Sequence, residues 1–544
     1  MKHSNIRYKA SLLTMLVLLF TACKDLDLAP ENTFTDLNYW SSEARAQAVL
    51  NTAYSQMFSS SYFFLNEALS DNAVNGRGDA AGAASISSGA YDASLARLNE
   101  EWDTRYGGIK TTNILIENID RVTDMSEEER NMMKAEARFI RAFQHFQLMT
   151  WFGDIPLLDH DPTIEEAQTI ERTPRAEVLA FILNELDEVA AILPANTELA
   201  DAEQGKITSG AAIALKARVL LYEGRWADVV TETAKLINST EYGSYSLFPS
   251  YEGLFLPENE YNEEVILSLQ YVPIDRTWSE FFDMAPLSAG ARLNNLAPTQ
   301  ELVDSYLMLN GEPIDAAASG YDEGNPYVNR DPRLTNTIVY HNYQWENPDG
   351  SIHTIYIEPG TDPDEALDEY ETGSSKTTTG YYTRKYFDPD HTAGLASGLN
   401  LILIRYADVL LMYAEAKMEL GEFNEEVWNQ TIRPLRERAG FTDEAALAYD
   451  PSLTGEALRQ TIRNERRVEL AMEGLRIFDI RRWQIAEDVL NGWAHGAQFE
   501  PSSPDNGYIR AQSRTFDPGK HYLWPIPRDE RLQNSNLSQN PGWN

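Results

Sequence analysis

Tryptophan and tyrosine side chains are the residues of this sequence most suited to ligand chemistry. Sugar rings present apolar C–H faces and a rim of hydroxyls, so a sugar binder needs aromatic faces and polar side chains. Trp278, Trp345 and Trp493 lie in irregular sequence. Trp345 stands beside Tyr343 at the tip of a predicted hairpin, which makes it the leading stacking candidate. Trp278 precedes two phenylalanines, so core packing competes equally for it.

A second aromatic group combines rings with a guanidinium. Tyr381 and Arg384 stand three residues apart, with another tyrosine and a threonine between them. An arginine beside a ring can hydrogen-bond sugar hydroxyls while the ring stacks. Tyr381 and Arg384 are therefore predicted ligand contacts.

Catalytic motifs are missing from the sequence. It has no glycine-rich phosphate loop, no His-Glu-x-x-His pair and no Gly-x-Ser-x-Gly elbow. His341 and His353 are predicted on facing strands, but two imidazoles without a third ligand make a weak metal site. A glycoside hydrolase would need two carboxylates flanking the scissile bond, and none of the 84 acidic residues is singled out. We therefore predict a binding protein without cofactor or metal, with an enzyme as a lesser alternative.

The net charge limits the classes of molecule that the protein is expected to bind. The 45 basic and 84 acidic residues give 45 − 84 = −39. A surface so acidic repels phosphate backbones, which disfavours nucleic acid and anionic lipid as partners. The single cysteine, Cys23, excludes an intrachain disulfide and a thiolate zinc cluster.

The N-terminus indicates export. A basic start precedes an apolar run over residues 12–20, which is too short to span a bilayer and is typical of a signal peptide. Small residues then precede Cys23, an order that resembles a bacterial lipoprotein signal, with Phe20 where leucine is usual. We expect residues 1–22 to be the signal peptide and Cys23 to be lipidated. The alternative is a plain secretory signal with an incidental cysteine.

Helices dominate the elements that must position these side chains. Ser126 and Glu129 have capping-box spacing, and apolar residues recur at helical spacing over 132–152. Predicted helices at 208–223 and 226–237 form one hairpin, and those at 406–420 and 423–439 form another.

The two hairpins share a spacing. In each, an alanine precedes the turn glycine by seven residues and an aromatic residue follows it by two, around Gly224 and Gly421. This pattern resembles a degenerate tetratricopeptide repeat, the alternative being generic helix packing. The predicted fold is mostly α, a tetratricopeptide-like scaffold with an inserted irregular lobe.

The predicted lobe covers residues 245–400, which are rich in Gly, Pro, Asn, Asp and Tyr. A strand is expected at 264–271, and a hairpin at 337–345 and 351–357, around the turn at Asp349-Gly350. Binding loops usually lie in irregular segments of this kind.

Six sequence blocks carry a resemblance to a known family. The chain is similar to the SusD/RagB outer-membrane lipoproteins of Bacteroidetes, from residue 23 to residue 544. The blocks are AEARFIRAFQHFQLMTWFGDIPLL (135–158), ALKARVLLYEGRW (214–226), RDPRL (330–334), IRYADVLLMYAEA (404–416), IRNERRVELAMEGLRIFDIRRW (462–483) and YLWPIP with NPGW (522–527, 540–543).

The resemblance implies a function. Such proteins bind a glycan at the cell surface and form a lid over a SusC-like TonB-dependent transporter, while RagB-type members deliver peptides. It therefore implies a surface glycan-binding lipoprotein of the outer membrane, held by its N-terminal lipid only, or alternatively a peptide-binding one. It also implies polar ligand contacts in the loop at 70–76, which contains Asp71 and Asn72.

The resemblance, together with the change in amino-acid composition near residue 245, predicts two domains in the mature chain. We expect an N-terminal SusD-like helical domain at 23–244 and a C-terminal RagB/SusD domain at 245–544. The second comprises the lobe at 245–400, the helical scaffold from 401 and an extended C-terminal segment.

The charged run in the fifth block predicts local ion pairs. Glu469 stands three residues after Arg466, and Arg476 three after Glu473, so each pair could form on one helix face. Arg481 and Arg482 are expected to find carboxylates elsewhere in the chain.

Overall fold

The computed structural model describes residues 39–389 and 395–543. The predicted signal peptide and Cys23 lie outside the described residues. Within these ranges the helices, joined by short 3₁₀ turns, are α1 (Glu43–Ser55), α2 (Ser60–Leu65), α3 (Ala83–Ser87), α4 (Ala96–Asn118), α5 (Glu127–Phe152), α6 (Ile164–Ala167), α7 (Arg175–Ala190), α8 (Ser209–Tyr222), α9 (Trp226–Ile237), α10 (Gln300–Ser305), α11 (Arg333–Thr337), α12 (Tyr406–Glu419), α13 (Glu425–Gln430), α14 (Ile432–Ala439), α15 (Glu444–Leu447), α16 (Gly455–Glu469), α17 (Arg476–Arg482), α18 (Ala486–Val489) and α19 (Arg528–Gln533).

Short antiparallel strand pairs join these helices. The strands are β1 (Ala73–Asn75), β2 (Val265–Leu269), β3 (Leu296–Pro298), β4 (Ile338–Val339), β5 (Tyr343–Glu346), β6 (Ile352–Ile355), β7 (Tyr382–Thr383), β8 (Leu401–Arg405), β9 (Gly492–His495) and β10 (Arg510–Arg514). They pair as β1–β3, β2–β8, β4–β7, β5–β6 and β9–β10. The prediction of a mostly α fold with short hairpins is confirmed.

Helix starts and turns follow their local signals. The Ser126 side chain accepts a hydrogen bond from the Glu129 N–H, and the Glu129 carboxylate accepts one from the Ser126 N–H, which closes the predicted capping box. Gly224 and Gly421 have φ of 65° and 71°, the left-handed region that glycine enters without a Cβ clash. The predicted helix at 423–439 is instead divided into α13 and α14. The assignment of these hairpins to the tetratricopeptide class stays a prediction.

Two strand pairs, β1–β3 and β2–β8, connect the lobe to the rest of the chain. β2, the first strand of the lobe, pairs with β8, with Val265 opposite Arg405. β8 then leads directly into α12, so the lobe begins and ends on the same helical framework. Within the described residues, no helix is both long and apolar enough to cross a membrane.

A large hydrophobic core includes residues from both predicted domains, from Trp40 to Leu537. The extended C-terminal segment packs against this core. The ring of Trp524 stacks on that of Trp151 with centroids 3.9 Å apart, and the backbone N–H of Trp524 donates to the backbone carbonyl of Trp151 at 2.8 Å. The domain division at residue 245 stays a prediction.

Buried ion pairs replace the local pairs predicted for the charged run. Glu469 does not pair with Arg466. Its carboxylate contacts the guanidinium groups of Arg333 at 2.8 Å and Arg405 at 2.7 Å, and that of Arg438. Burial explains the difference, because a fully buried carboxylate requires several donors and a single neighbour on its own helix cannot supply them.

The other predicted pair is also wrong. Glu473 contacts Lys385 at 2.7 Å and Arg405 at 2.8 Å, while Arg476 pairs with Asp71 at 2.8 Å. We call the group Arg333, Lys385, Arg405, Arg438, Glu469 and Glu473 the central ion network. Arg333 and Lys385 belong to the lobe, so the network ties the lobe to α16.

Candidate functional site

The exposure predicted for Trp345 is wrong. Its side chain is 1% exposed and lies 5.0 Å, centroid to centroid, from the ring of Phe387. Along β5 the side chains alternate, with Tyr343 and Trp345 facing the core and Gln344 and Glu346 facing solvent. A ring buried in this way has no face open to a ligand.

Tyr343 and Trp278 are also buried, whereas Trp493 is exposed. Tyr343 is 7% exposed and Trp278 is 4% exposed, the latter packed on Phe64 with centroids 5.0 Å apart. Trp278 also donates its indole N–H to the Leu399 carbonyl at 2.7 Å. Core packing is thus the role that the structure shows for these rings.

Arg384 and the side chains of the loop at 70–76 contact other residues of the protein. Arg384 pairs with Glu252 at 3.0 Å and lies over the ring of Trp345. Asp71 is buried and pairs with Arg476 and Arg467.

Burial alone would raise the pKa of the Asp71 carboxyl, but the two guanidinium groups lower it well below its usual range. Asn72 is also buried, donating to Glu67 at 3.1 Å and accepting from Arg467 at 2.8 Å. Both side chains point into the protein rather than toward a ligand.

An open cleft lined by tyrosines is formed by residues of the lobe together with residues between β9 and β10. It has a volume of about 520 Å³, within the range of small-molecule sites. Both aromatic and polar side chains line it, and we call it the tyrosine cleft. Its aromatic residues are Tyr321, Tyr327, Tyr340, Tyr381, Phe499 and Tyr508, and its polar residues include Gln300, Glu323, Asn325, Asn342, Glu358 and Gln498.

The floor of the tyrosine cleft is built from packed rings. The rings of Tyr327 and Tyr340 stack with centroids 4.1 Å apart and planes inclined by 18°. The Tyr381 hydroxyl lies 3.3 Å from that of Tyr327 and donates to Gln300 at 2.6 Å. Of the predicted site residues, Tyr381 is therefore the one that the structure brings to this cleft, as a buried floor residue.

The rim carries rings that are partly exposed. Tyr321, Tyr340, Phe499 and Tyr508 are all half-buried, while Asn325 beside them is exposed. Among the described residues, Tyr508 packs against no other ring and makes no side-chain hydrogen bond. Among the aromatic rings of the cleft, that of Tyr508 therefore has the fewest contacts with the rest of the protein.

Arg330, in the third sequence block, RDPRL, positions the loop that carries Tyr321 and Asn325. It donates to the carbonyls of Pro326 at 2.7 Å, Val303 at 2.6 Å and Tyr306 at 2.7 Å, and its guanidinium lies over the Tyr321 ring. Three residues later, Arg333 enters the central ion network. The segment 330–333 thus connects the cleft wall to the scaffold.

Beside the carboxylates of Glu323 and Glu358, the cleft offers neutral hydrogen-bonding groups. Burial raises the pKa of Tyr340, and burial together with the carboxylates of Asp304 and Glu323 raises that of Tyr508. These phenols remain protonated at neutral pH and can donate to hydroxyl oxygens. Burial lowers the pKa of His341, whose Nδ1 accepts from the N–H groups of residues 357 and 358, so this imidazole is neutral.

The two histidines predicted on facing strands do not share a site. His353 makes its own contacts to Ser288 and Asn347, at 3.2 and 3.1 Å. In the parts of the chain that the structure describes, no three His, Cys, Asp or Glu side chains are grouped as metal ligands.

Sequence reasoning missed Tyr321, Tyr327, Tyr340, Phe499 and Tyr508 because it ranked tryptophans first. The available signal was the spacing of tyrosines among Gly, Pro and Asn residues of the lobe. Tyr508 and Phe499 gave no such signal. They lie in the region around β9 and β10, far along the chain from the lobe, and tertiary folding brings them to the cleft.

The chain is thus an α-rich protein. Its helical scaffold supports an irregular lobe, and an open aromatic cleft gives it a surface suited to binding a ligand. The chain belongs to the SusD family, whose model matches residues 263–543. A second family model, described as "Starch-binding associating with outer membrane", matches residues 26–221.

Two similar proteins each cover nearly the whole chain, and a third matches a shorter part of it. A solved SusD-like carbohydrate binding protein from Bacteroides fragilis is 29% identical, covers 92% of this chain and all of its own, and superposes with a TM-score of 0.82. SusD-like protein P2 of Formosa agariphila is 26% identical over 98% of this chain and 99% of its own. The starch-binding protein SusD of Bacteroides thetaiotaomicron is 29% identical over 28% of this chain and 27% of its own.

Proposed function

We propose that this protein binds a glycan in the tyrosine cleft. The observation that carries the proposal is the set of half-buried rings, Tyr321, Tyr340 and Tyr508, beside the exposed amides of Asn325 and Asn342. Rings offer faces to sugar C–H groups, and amides pair with sugar hydroxyls. The similar B. fragilis protein is named as carbohydrate binding and the B. thetaiotaomicron relative as starch-binding, which supports this ligand class.

The proposed binding is without turnover. The purified protein should bind at least one member of a panel of polysaccharides saturably, and that polysaccharide should keep its chain length over a day of incubation. Size-exclusion chromatography of the glycan checks the second part. Binding confined to peptides in a parallel panel would favour a peptide carrier, and shortened glycan from contaminant-free protein would favour a hydrolase.

The proposed place of action is the cell surface of the outer membrane, with delivery of the glycan to a SusC-like TonB-dependent transporter. The family description that associates such proteins with the outer membrane supports it. In this proposal Cys23 carries the lipid anchor. Cys23→Ala should then move the protein out of the membrane fraction in cells without the transporter, as an immunoblot would show. Retention of a correctly processed Cys23→Ala protein there would contradict the anchor.

A further inference from the structure

His495 lies where two distant parts of the chain meet to form the tyrosine cleft. It is the last residue of β9, and the loop that follows it, residues 496–509, carries three residues of the cleft lining. The His495 ring contacts Glu301 in α10, whose neighbour Gln300 also lines the cleft. The ring therefore joins two segments that both contribute to the cleft.

Both ring nitrogens of His495 contact carboxylates. Nδ1 lies 2.8 Å from a Glu301 oxygen, and Nε2 lies 3.0 Å from an Asp505 oxygen. A neutral imidazole has one N–H and one lone pair, so it donates to only one carboxylate and turns its lone pair toward the other. The imidazolium donates at both nitrogens. The geometry around His495 therefore fits the charged form of the ring.

The surroundings of the ring also favour its charged form. The hydrogen bonds to Glu301 and Asp505 raise the pKa of His495 above its ordinary value of about 6.5, although partial burial opposes them. The side chain is 29% exposed, so solvent reaches the ring and can remove its proton. His495 thus keeps its proton to a higher pH than an isolated histidine does.

Guanidinium groups also face these two carboxylates. Arg510, which stands opposite His495 in the β9–β10 pair, donates to Asp505 at 2.6 and 2.8 Å. Arg467 and Arg514 interact electrostatically with the α10 carboxylate. Arginine side chains remain charged near neutral pH, so His495 is the member of this cluster whose charge changes there.

Asp505 connects His495 to one of the rings of the tyrosine cleft. The backbone N–H of Tyr508 donates to the Asp505 carbonyl at 3.0 Å, which closes a turn over residues 505–508 that we call the Tyr508 turn. Asp505 thus contacts His495 through its carboxylate and Tyr508 through its carbonyl. The position of the Tyr508 ring depends on this turn, because its side chain makes no hydrogen bond of its own in the described part of the chain.

We propose that the imidazolium of His495 positions the tyrosine cleft by holding the Tyr508 turn to α10, and that glycan affinity falls when His495 loses its proton. The second part rests on the proposed glycan binding in this cleft. Deprotonation removes one of the two ring contacts, and the loss of either one breaks the bridge through the ring. The Tyr508 turn then keeps its Arg510 contacts but is held less firmly to α10.

The direction of the pH dependence follows from the raised pKa of His495. Its contacts are fully present below the unfolded pKa of about 6.5 and are lost as the pH rises through the higher pKa of the folded protein. Affinity should therefore be higher at about pH 6 than at about pH 9. His341 in the cleft lining has a lowered pKa, so its charge changes on the acid side instead.

The test is calorimetric titration with soluble starch, laminarin, dextran and galactomannan between about pH 6 and about pH 9. These polysaccharides carry no titratable group in this range, so any pH dependence belongs to the protein. Wild-type affinity should fall about three-fold or more, as expected for the loss of one hydrogen bond to a charged group. His495→Gln should bind weakly at both pH values, with little pH dependence.

The matched control is His160, whose ring also bridges two carboxylates. Its nitrogens lie 2.8 Å from Asp159 and 2.9 Å from Glu166, and none of these residues lines the cleft. The hydrogen bonds raise the pKa of His160 as they do for His495. His160→Gln should therefore keep the wild-type affinity and its pH dependence.

Hydrogen–deuterium exchange tests the positioning role without a glycan. After correction for the intrinsic rate, the amides at 503–508 should be less protected at about pH 9 than at about pH 6 in the wild type. In His495→Gln they should be equally unprotected at both pH values. Protection in the wild type that does not change with pH would overturn the role of His495 in holding the Tyr508 turn.

The outcomes distinguish this inference from the proposed function. Glycan binding that requires Tyr508 but does not change with pH would overturn the role of His495 alone. A pH dependence that persists in His495→Gln would also overturn it and would point to Lys385, whose pKa burial lowers to about 8. Binding of no polysaccharide, with protection that depends on pH and on His495, would support the positioning role and count against the proposed function.

Discussion

Glu469→Gln should lower the free energy of unfolding by about 3–5 kcal/mol, because it removes the charge shared by three buried guanidinium groups. Glu469 has no exposed surface and contacts Arg333, Arg405 and Arg438. The amide that replaces it keeps the shape but cannot balance those charges. Urea unfolding followed by tryptophan fluorescence measures the change.

A matched control removes an exposed carboxylate from an arginine. Glu444 pairs with Arg433 at the surface, and Glu444→Gln should leave the unfolding midpoint nearly unchanged. Equal midpoints for Glu469→Gln and wild type would contradict a stabilising role for the central ion network.

The same network fixes the direction of the pH dependence. Although burial would raise it, the arginines hold the pKa of the Glu469 carboxyl well below its unfolded value of about 4.3. A carboxyl with a lowered folded pKa stabilises the fold above its unfolded pKa, and this stabilisation is lost as the pH falls. Wild-type stability should therefore decrease below about pH 4, and the Glu469→Gln protein should lose less.

Trp345→Ala should also lower the free energy of unfolding by about 3–5 kcal/mol, the usual cost of deleting a buried aromatic side chain. Its ring packs against Phe387 and under the Arg384 guanidinium, both of which would lose their contact. Protein that remains folded should bind glycan like wild type. Thermal melting and a binding titration below the melting temperature measure the two effects.

The control for Trp345 is the exposed tryptophan of β9. Trp493 is 42% exposed, with Arg510 over its ring, and Trp493→Ala should hardly change the melting temperature. An unchanged melting temperature with lost glycan binding in Trp345→Ala would contradict the buried position of this ring.

Features that depend on neighbouring residues were predictable from the sequence. The capping box at Ser126 and the glycine turns at Gly224 and Gly421 are local, and the structure has them where the pattern indicates. The burial of Trp345 was also readable in principle. Tyr343-Gln344-Trp345-Glu346 alternates apolar and polar residues, which places the tyrosine and the tryptophan on one face of a strand.

Features that depend on distant residues were not predictable. Arg405 pairs with Glu264 and Glu469, which are 141 and 64 residues away along the chain. Helical spacing suggests only pairs three or four residues apart, whereas burial selects partners from whichever elements pack together. The tyrosine cleft is assembled in the same way, with Gln300 at one end of its sequence range and Tyr508 at the other.

The most direct test of glycan binding in the tyrosine cleft is the affinity of Tyr508→Ala and of the double variant Tyr321→Ala/Tyr508→Ala for the glycan that the panel selects. Tyr508→Ala should weaken binding by about 1–3 kcal/mol, taking the stacking of bases on aromatic rings as the analogue, with little loss of stability. Tyr508→Phe keeps the ring and should bind nearly as wild type, whereas the double variant should bind more weakly than Tyr508→Ala. Wild-type affinity in the double variant, or loss of binding in Trp493→Ala instead, would contradict the assignment of this cleft as the glycan site.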